Sequence, residues 1–205
     1  METLINKFWN CFLAIQSDLL HANSVGNTEL RNKLFGKLYA KVIQVNPGLQ
    51  ISVLFASNFP NSSSLIFIVK GNYRLKALVN KVLIDAPQLK RWQYQMGIKP
   101  YEESLISLCS KFNFLGAQTI IYEIYFAVSK VYKTSNKLHL MIYLETDRKF
   151  AKADLRAAMD NIFLWFLGDT LYYRHISQFK IVRRKFSRIN FIPLDELRSF
   201  IGYKH

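Results

Sequence analysis

The residues Lys180-Ile181-Val182-Arg183-Arg184-Lys185-Phe186-Ser187-Arg188 place five cations in nine positions, with Arg174 just upstream and Tyr172, Tyr173 and Phe186 interleaved. Arginine and lysine neutralise phosphates, and aromatic rings stack on bases, so this is the composition of a single-stranded nucleic-acid surface. Lys90 and Arg91 form a second, smaller basic spot. A plainer reading stands beside the functional one. Strand alternation turns Ile181 inward and leaves Lys180 and Val182 on the opposite face, as in a solvated edge strand whose charge blocks sheet-to-sheet aggregation. The polyanion-binding candidates are therefore Arg174, Lys180, Arg183, Arg184, Lys185, Arg188, Lys90 and Arg91.

Other residue types that could do chemistry are scattered. His21, His139, His175 and His205 are isolated, with no HxxH, no HExxH and no His/Cys cluster at metal-ligand spacing. Ser62-Ser63-Ser64 has no GxSxG context and reads as loop. Gly71, Gly97, Gly116 and Gly168 are single glycines that cannot cradle a phosphate as GxxxxGK does; turns and caps account for them. Glu102-Glu103 and Asp195-Glu196 each open a predicted helix, where negative charge suits the N-terminal end of the dipole. The expectation is no catalytic residue, no metal and no cofactor.

Charge and cysteines set the surroundings. The chain has 205 residues, 28 Lys+Arg against 14 Asp+Glu, and a net charge of +14. The excess is spread along both halves rather than gathered in a tail, so it decorates a folded surface that draws nucleic acid, anionic headgroups or acidic proteins. Cys11 and Cys109 lie far apart with no CxxC spacing, which fits reduced thiols and a cytoplasmic protein. The N-terminal apolar stretch is interrupted by Asn10, Gln16 and Asp18 and lacks a small-residue cleavage site, which argues against a signal peptide. The longest apolar runs, SSSLIFIV and NIFLWFLG, fall far short of the roughly 20 residues that span a bilayer.

Half the residues are apolar and 15% are aromatic, ample for a large core. Ile5, Phe8, Trp9, Phe12, Ile15 and Leu19 recur at spacings of three and four, predicting a helix over 3–20. Thr28 is the N-cap candidate of a second helix carrying Leu30, Leu34, Leu38 and Val42, stopped by Asn46-Pro47-Gly48. Strands are predicted at 49–56 and 65–70, a helix at 73–84 and a strand at 92–98. The second half repeats that order. A helix at 102–112, strands at 118–129 and 137–146 around a polar loop at 130–136, a helix at 154–167 capped by Gly168, a strand at 179–184 and a short helix opening at Pro193 are expected.

The fold class that follows is α+β: two consecutive α-β-β-α-β units with mostly antiparallel sheets covered by helices, of ferredoxin-like flavour. The expected division is 1–99 and 100–205, packed as one compact two-part domain. Along 120–128, Tyr122, Ile124, Phe126 and Val128 alternate with Ile121, Glu123, Tyr125 and Ala127, so both faces of that strand are largely apolar and both need cover. A second layer of the same chain is the plain cover; a partner subunit or protein is the functional one.

Short motifs add a resemblance. The tryptophan-bearing first helix, Val69-Lys70-Gly71-Asn72, Ala86-Pro87-Gln88-Leu89-Lys90-Arg91-Trp92, Leu167-Gly168-Asp169 and Ile192-Pro193-Leu194-Asp195-Glu196-Leu197 together resemble a bacterial family of unknown function. Where that family usually has glutamate after the glycine, this chain has Asp169. The resemblance implies a two-part α+β protein, loosely similar in architecture to the B-type protein regulator of ribonuclease E, and brings no assigned chemistry.

The resulting expectation is a non-enzymatic cytoplasmic protein that binds a macromolecule, an acidic protein partner first. A nucleic-acid-binding or ribonuclease-regulating protein using RNA is the alternative, and a hydrolytic enzyme comes last. No membrane is expected among its partners, and a homodimer stays open.

Overall fold

The computed structural model describes residues 2–56, 62–102, 105–112, 123–145 and 150–202. They form an α+β fold divided into two units, residues 1–98 and 99–205. Among the described residues three of the five strand pairings are antiparallel.

The first unit runs α1 (Glu2–Ser24), α2 (Thr28–Val45), β1 (Gln50–Leu54), β2 (Ser63–Ile68), α3 (Tyr73–Ile84) and β3 (Trp92–Met96). The six apolar residues spaced along α1 are all buried, because their period matches the helix and brings them onto one stripe. Each such burial is worth about 1.5–3 kcal/mol before chain entropy is counted. Asn27, not Thr28, caps α2: its side chain accepts from the Leu30 N–H at 3.0 Å, the shorter path to the orphan donors of the first turn. Asn72 caps α3 in the same way. The sheet order is β1-β2-β3, antiparallel between β1 and β2 and parallel between β2 and β3, with α3 as the crossover. Ser63 and Ser64 are strand rather than loop. Ser63 is buried, and its hydroxyl accepts from the Ala56 N–H at 3.1 Å. Residues 57–61 of the expected loop lie outside the described residues.

Aromatic rings fill this core. Trp9 meets Phe8, Phe12, Phe67 and Tyr94 edge to face, and Phe12 meets Trp92 at 4.9 Å. The two indoles also tie distant elements: Trp9 Nε1 donates to the Val82 carbonyl at 2.9 Å, and Trp92 Nε1 to Gln16 Oε1 at 2.9 Å. One polar atom is left over. The Tyr94 hydroxyl is buried with no hydrogen-bond partner among the described residues, and burial pushes its pKa up to about 12. An unpaired buried hydroxyl destabilises, so Tyr94→Phe is expected to raise the unfolding free energy at neutral pH by about 0.5–1.5 kcal/mol. Tyr172 and Tyr173 of the second unit are also raised, by burial first and then by neighbouring carboxylates, Asp160 foremost for Tyr172 and Asp169 for Tyr173. A tyrosine whose folded-state pKa exceeds its ordinary 10.0 holds a proton that the unfolded chain releases. Stability from these groups is therefore complete below pH 10 and is lost as pH rises above it, through about 12 for Tyr94. Urea midpoints at pH 7 and pH 11 check both points: Tyr94→Phe should be the more stable protein at pH 7 and should lose less on going to pH 11.

The second unit runs α4 (Leu105–Phe112), β4 (Glu123–Tyr132), β5 (Lys137–Glu145), α5 (Lys152–His175), β6 (Ile176–Val182), β7 (Ile192–Pro193), a 3₁₀ turn at Leu194–Glu196 and α6 (Leu197–Gly202). Its sheet order is β6-β5-β4-β7, with β4 and β5 an antiparallel hairpin and α5 the crossover to the parallel strand β6. In both units the crossover strand lands directly beside the second hairpin strand, the point at which the strand order departs from a ferredoxin-like sheet. The inner face of this sheet, Ile124, Phe126, Leu138, Leu140, Ile142 and Phe179, packs on Met159, Ile162, Phe163 and Phe166 of α5.

Several boundaries differ from the sequence reading. Lys130–Tyr132 belong to β4 rather than to a loop, because a bulge between Val128 and Lys130 lets the ladder continue. Gly168 does have a positive φ, 76°, but the chain bends there and resumes as helix to His175 instead of stopping. The last long strand spans 176–182 rather than 179–184, which leaves Arg183 and Arg184 in the bend beyond it. Pro193 closes a short strand before the terminal helix turn. Glu102 lies outside α4, which is described from Leu105, and the Leu105 N–H donates to Asp195 Oδ1 at 3.0 Å, across 90 residues. Glu103 and the expected strand at 118–122, with Ile121 and Tyr122, lie outside the described residues, as do Gly116, Thr146 and His205.

Candidate polyanion interface

Six of the eight basic candidates follow one another along the end of α5, β6 and the bend after it. Arg174 stands in the last turn of α5, Lys180 on β6, Arg183 and Arg184 in the bend, and Lys185 and Arg188 in the segment that leads to β7. All six are exposed, and none is ion-paired among the described residues. Lys90 and Arg91 are exposed in the turn before β3 of the first unit, where their carbonyls accept from the Ser62 hydroxyl and from the Ser63 N–H.

Register explains which side chains share a face. Lys180 pairs with Met141 and Val182 with Tyr143, while Tyr143 faces Tyr125 on β4, so these residues line the sheet face turned away from α5. Phe179 and Ile181 face the core side. The expectation that Val182 would sit open beside Lys180 is corrected: Val182 is 8% exposed, because the chain after β6 folds back over that face. Lys185 places its ammonium 3.1 Å from the centre of the Tyr125 ring and 5.3 Å from that of Tyr143, and Phe191 meets Tyr143 edge on. The chain itself thus covers part of the strand that is apolar on both faces, and Ala127 on that face is 2% exposed. On the same sheet Lys130 caps the Tyr132 ring at 4.7 Å, and Gln178 bonds the Tyr132 hydroxyl at 3.0 Å and approaches His139 at 3.3 Å.

A lysine over a tyrosine face is attracted by the ring quadrupole, by about 0.5–2 kcal/mol depending on desolvation. It also occupies the surface on which a base would stack. Lys185 therefore differs from its neighbours: it pins the basic segment to the sheet, whereas Arg183, Arg184 and Arg188 are exposed and make no ion pair among the described residues. Phe186, 40% exposed, is the aromatic group of this segment left open. Sequence reasoning found the cations but missed Tyr125 and Tyr143 as their support, because the pairing that brings 125, 143 and 185 together is set by the sheet.

The core beneath the site is bonded from both sides. Arg156 of α5 donates to the Phe179 carbonyl at 3.0 Å, lies 4.6 Å over the Phe179 ring, and stands 4.0 Å from Asp160, which accepts from Tyr172 at 2.6 Å. Arg198 of α6 donates to the carbonyls of Phe166 and Tyr101. Asp169 and His175 are both buried in α5. Cys11 and Cys109 are free thiols, and burial followed by the charge of Asp195 pushes Cys109 up to about 11. Among the described residues no group of three or more His, Cys, Asp or Glu could hold a metal ion, and no helix is long and apolar enough to cross a membrane.

Fold and site together define a two-unit α+β protein with a basic strand and bend at one sheet edge. No protein-family model, curated protein or solved structure matches the chain.

Proposed function

We propose that this is a non-enzymatic protein that binds an acidic macromolecule through Arg174, Lys180, Arg183, Arg184 and Arg188, the partner being the acidic surface of another protein. The observation that carries this reading is the pairing state of the charges: these cations have no carboxylate partner among the described residues, while the adjoining tyrosine rings are already covered by lysines. Carboxylates need only the cations; bases also need free rings. The free thiols fit a reducing compartment, the cytoplasm. A second reading, single-stranded RNA and with it a ribonuclease-regulating role, is favoured by the exposed Phe186 amid the arginines.

A salt titration separates them. Labelled polyglutamate should bind at least as tightly as labelled single-stranded RNA of equal charge. Arg183→Ala with Arg184→Ala should weaken binding and flatten the slope of log K against log salt by about one to two units. RNA binding clearly tighter than polyglutamate supports the second reading. Binding and slope unchanged in the double variant remove the site altogether.

A further inference from the structure

Strand β6 ends the four-stranded sheet, so one of its edges pairs with no strand among the described residues. Edges of this kind accept an added strand through main-chain hydrogen bonds, with alternate side chains setting specificity. The side chains here alternate in character. Gln178 and Lys180 are exposed on the face turned from α5, with Arg184 following in the bend, whereas Phe179 and the half-buried Ile181 face the apolar side. We propose that β6 is a docking edge for an extended segment of a partner protein in which acidic and apolar residues alternate, the acids meeting Lys180 and Arg184 and the apolar residues extending the core past Ile181. This deepens the reading above and rests on it, since it names the form that the acidic partner takes.

Charge excludes the commonest other occupant. A second copy paired along β6 in parallel register, or antiparallel about Lys180, would bring lysine against lysine, and like charges across a ladder destabilise it, the more so between chains of net charge +14. An acidic strand reverses that sign. Arg156 is the edge's own stopper, because it holds the Phe179 carbonyl at 3.0 Å. An incoming N–H replaces it there, and Arg156 closes the 4.0 Å gap to Asp160. Covering the strand's end with an arginine is how a monomer avoids unwanted pairing until a suitable strand arrives.

The experiment uses the full chain with two labelled synthetic peptides of identical composition, one alternating Glu and Val, the other with its Glu and Val in separate blocks. Fluorescence anisotropy should give about tenfold tighter binding for the alternating peptide, and hydrogen exchange should slow at amides within residues 177–182. Lys180→Glu should weaken the alternating Glu/Val peptide about tenfold and strengthen an alternating Lys/Val peptide, a reversal that a fold defect does not produce. Equal binding of the two Glu/Val peptides with unchanged exchange at 177–182 overturns the docking edge. If Arg183→Ala with Arg184→Ala still weakens both peptides in that case, the acidic-macromolecule reading stands without it. If neither the double variant nor Lys180→Glu changes binding of any peptide, both fall.

Discussion

Replacing Trp9 with alanine is expected to lower the unfolding free energy by about 3–5 kcal/mol, the largest single effect in the first unit. Trp9 is 4% exposed and touches four rings, with centroids 4.8 Å away at Phe8, 5.0 Å at Tyr94, 5.8 Å at Phe12 and 6.1 Å at Phe67. Alanine leaves a cavity among side chains belonging to three different elements, which cannot all close on it. It also strands the Val82 carbonyl, whose donor is the indole N–H. Trp9→Phe keeps most of the volume and loses only that bond, so it should cost about 1–3 kcal/mol. Urea unfolding of the two variants checks the order. A loss for Trp9→Ala within the roughly 0.5 kcal/mol typical of surface changes would mean that α1 is not held by this cluster.

Gly168→Ala should cost about 1–3 kcal/mol through backbone conformation alone. Its φ of 76° with ψ of 160° belongs to a region that side-chain-bearing residues scarcely enter, and it is buried between Leu167 and Asp169 with helix on both sides. The kink lets α5 keep Phe163 and Phe166 on the sheet while Tyr172 returns to stack on Phe163, centroids 5.8 Å apart. Gly36 provides the contrast. It lies within α2, and a methyl group added there would meet nothing within 4 Å, so Gly36→Ala should stabilise by about 0.5–1 kcal/mol. Thermal or urea denaturation of the pair gives opposite signs if backbone geometry is the cause, and the same sign if it is not.

Local periodicity makes much of the fold legible. The stripe from Ile5 to Leu19, the limits of α3 at Tyr73 and Ile84, and the hairpin of β4 and β5 all follow from side-chain spacing, which a helix or strand converts directly into a buried face. Periodicity misleads where a distant group decides the outcome. Gln16 interrupts an apolar helix for a reason found only in Trp92, 76 residues on. Ser62-Ser63-Ser64 reads as loop because serine favours turns, yet Ser63 is drawn into β2 by its pairing with Trp92. Gly168 carries the positive φ expected of a cap, but packing of Tyr172 restores the helix beyond it.

The basic site is legible as a list of charges and not as a surface. Nothing in Lys180–Arg188 says that the strand stops at Val182, or that Lys185 turns back onto two tyrosines while Arg183 and Arg184 do not. Asp195 is a comparable case. It reads as the opening charge of its own helix, but its carboxylate serves α4 instead. A one-dimensional pattern records which charges exist; the ladder register decides which of them remain unspent.

The reach of that Asp195 bond bears on how the chain assembles during synthesis. Trp9 and its partner Val82 are both present once the first 98 residues have emerged, so the first unit can close early. In the second unit the Leu105 N–H of α4 bonds a residue 90 positions later, and Arg198 of α6 secures the Phe166 carbonyl, so that unit stays open until its final helix is made. At ribosomal speeds of about 5–20 residues per second, the Leu105 N–H waits roughly 5–20 s for Asp195. The order of birth along the chain thus makes each unit wait on a bond of similar reach, 73 residues from Trp9 to Val82 and 90 from Leu105 to Asp195, before its last element is secured.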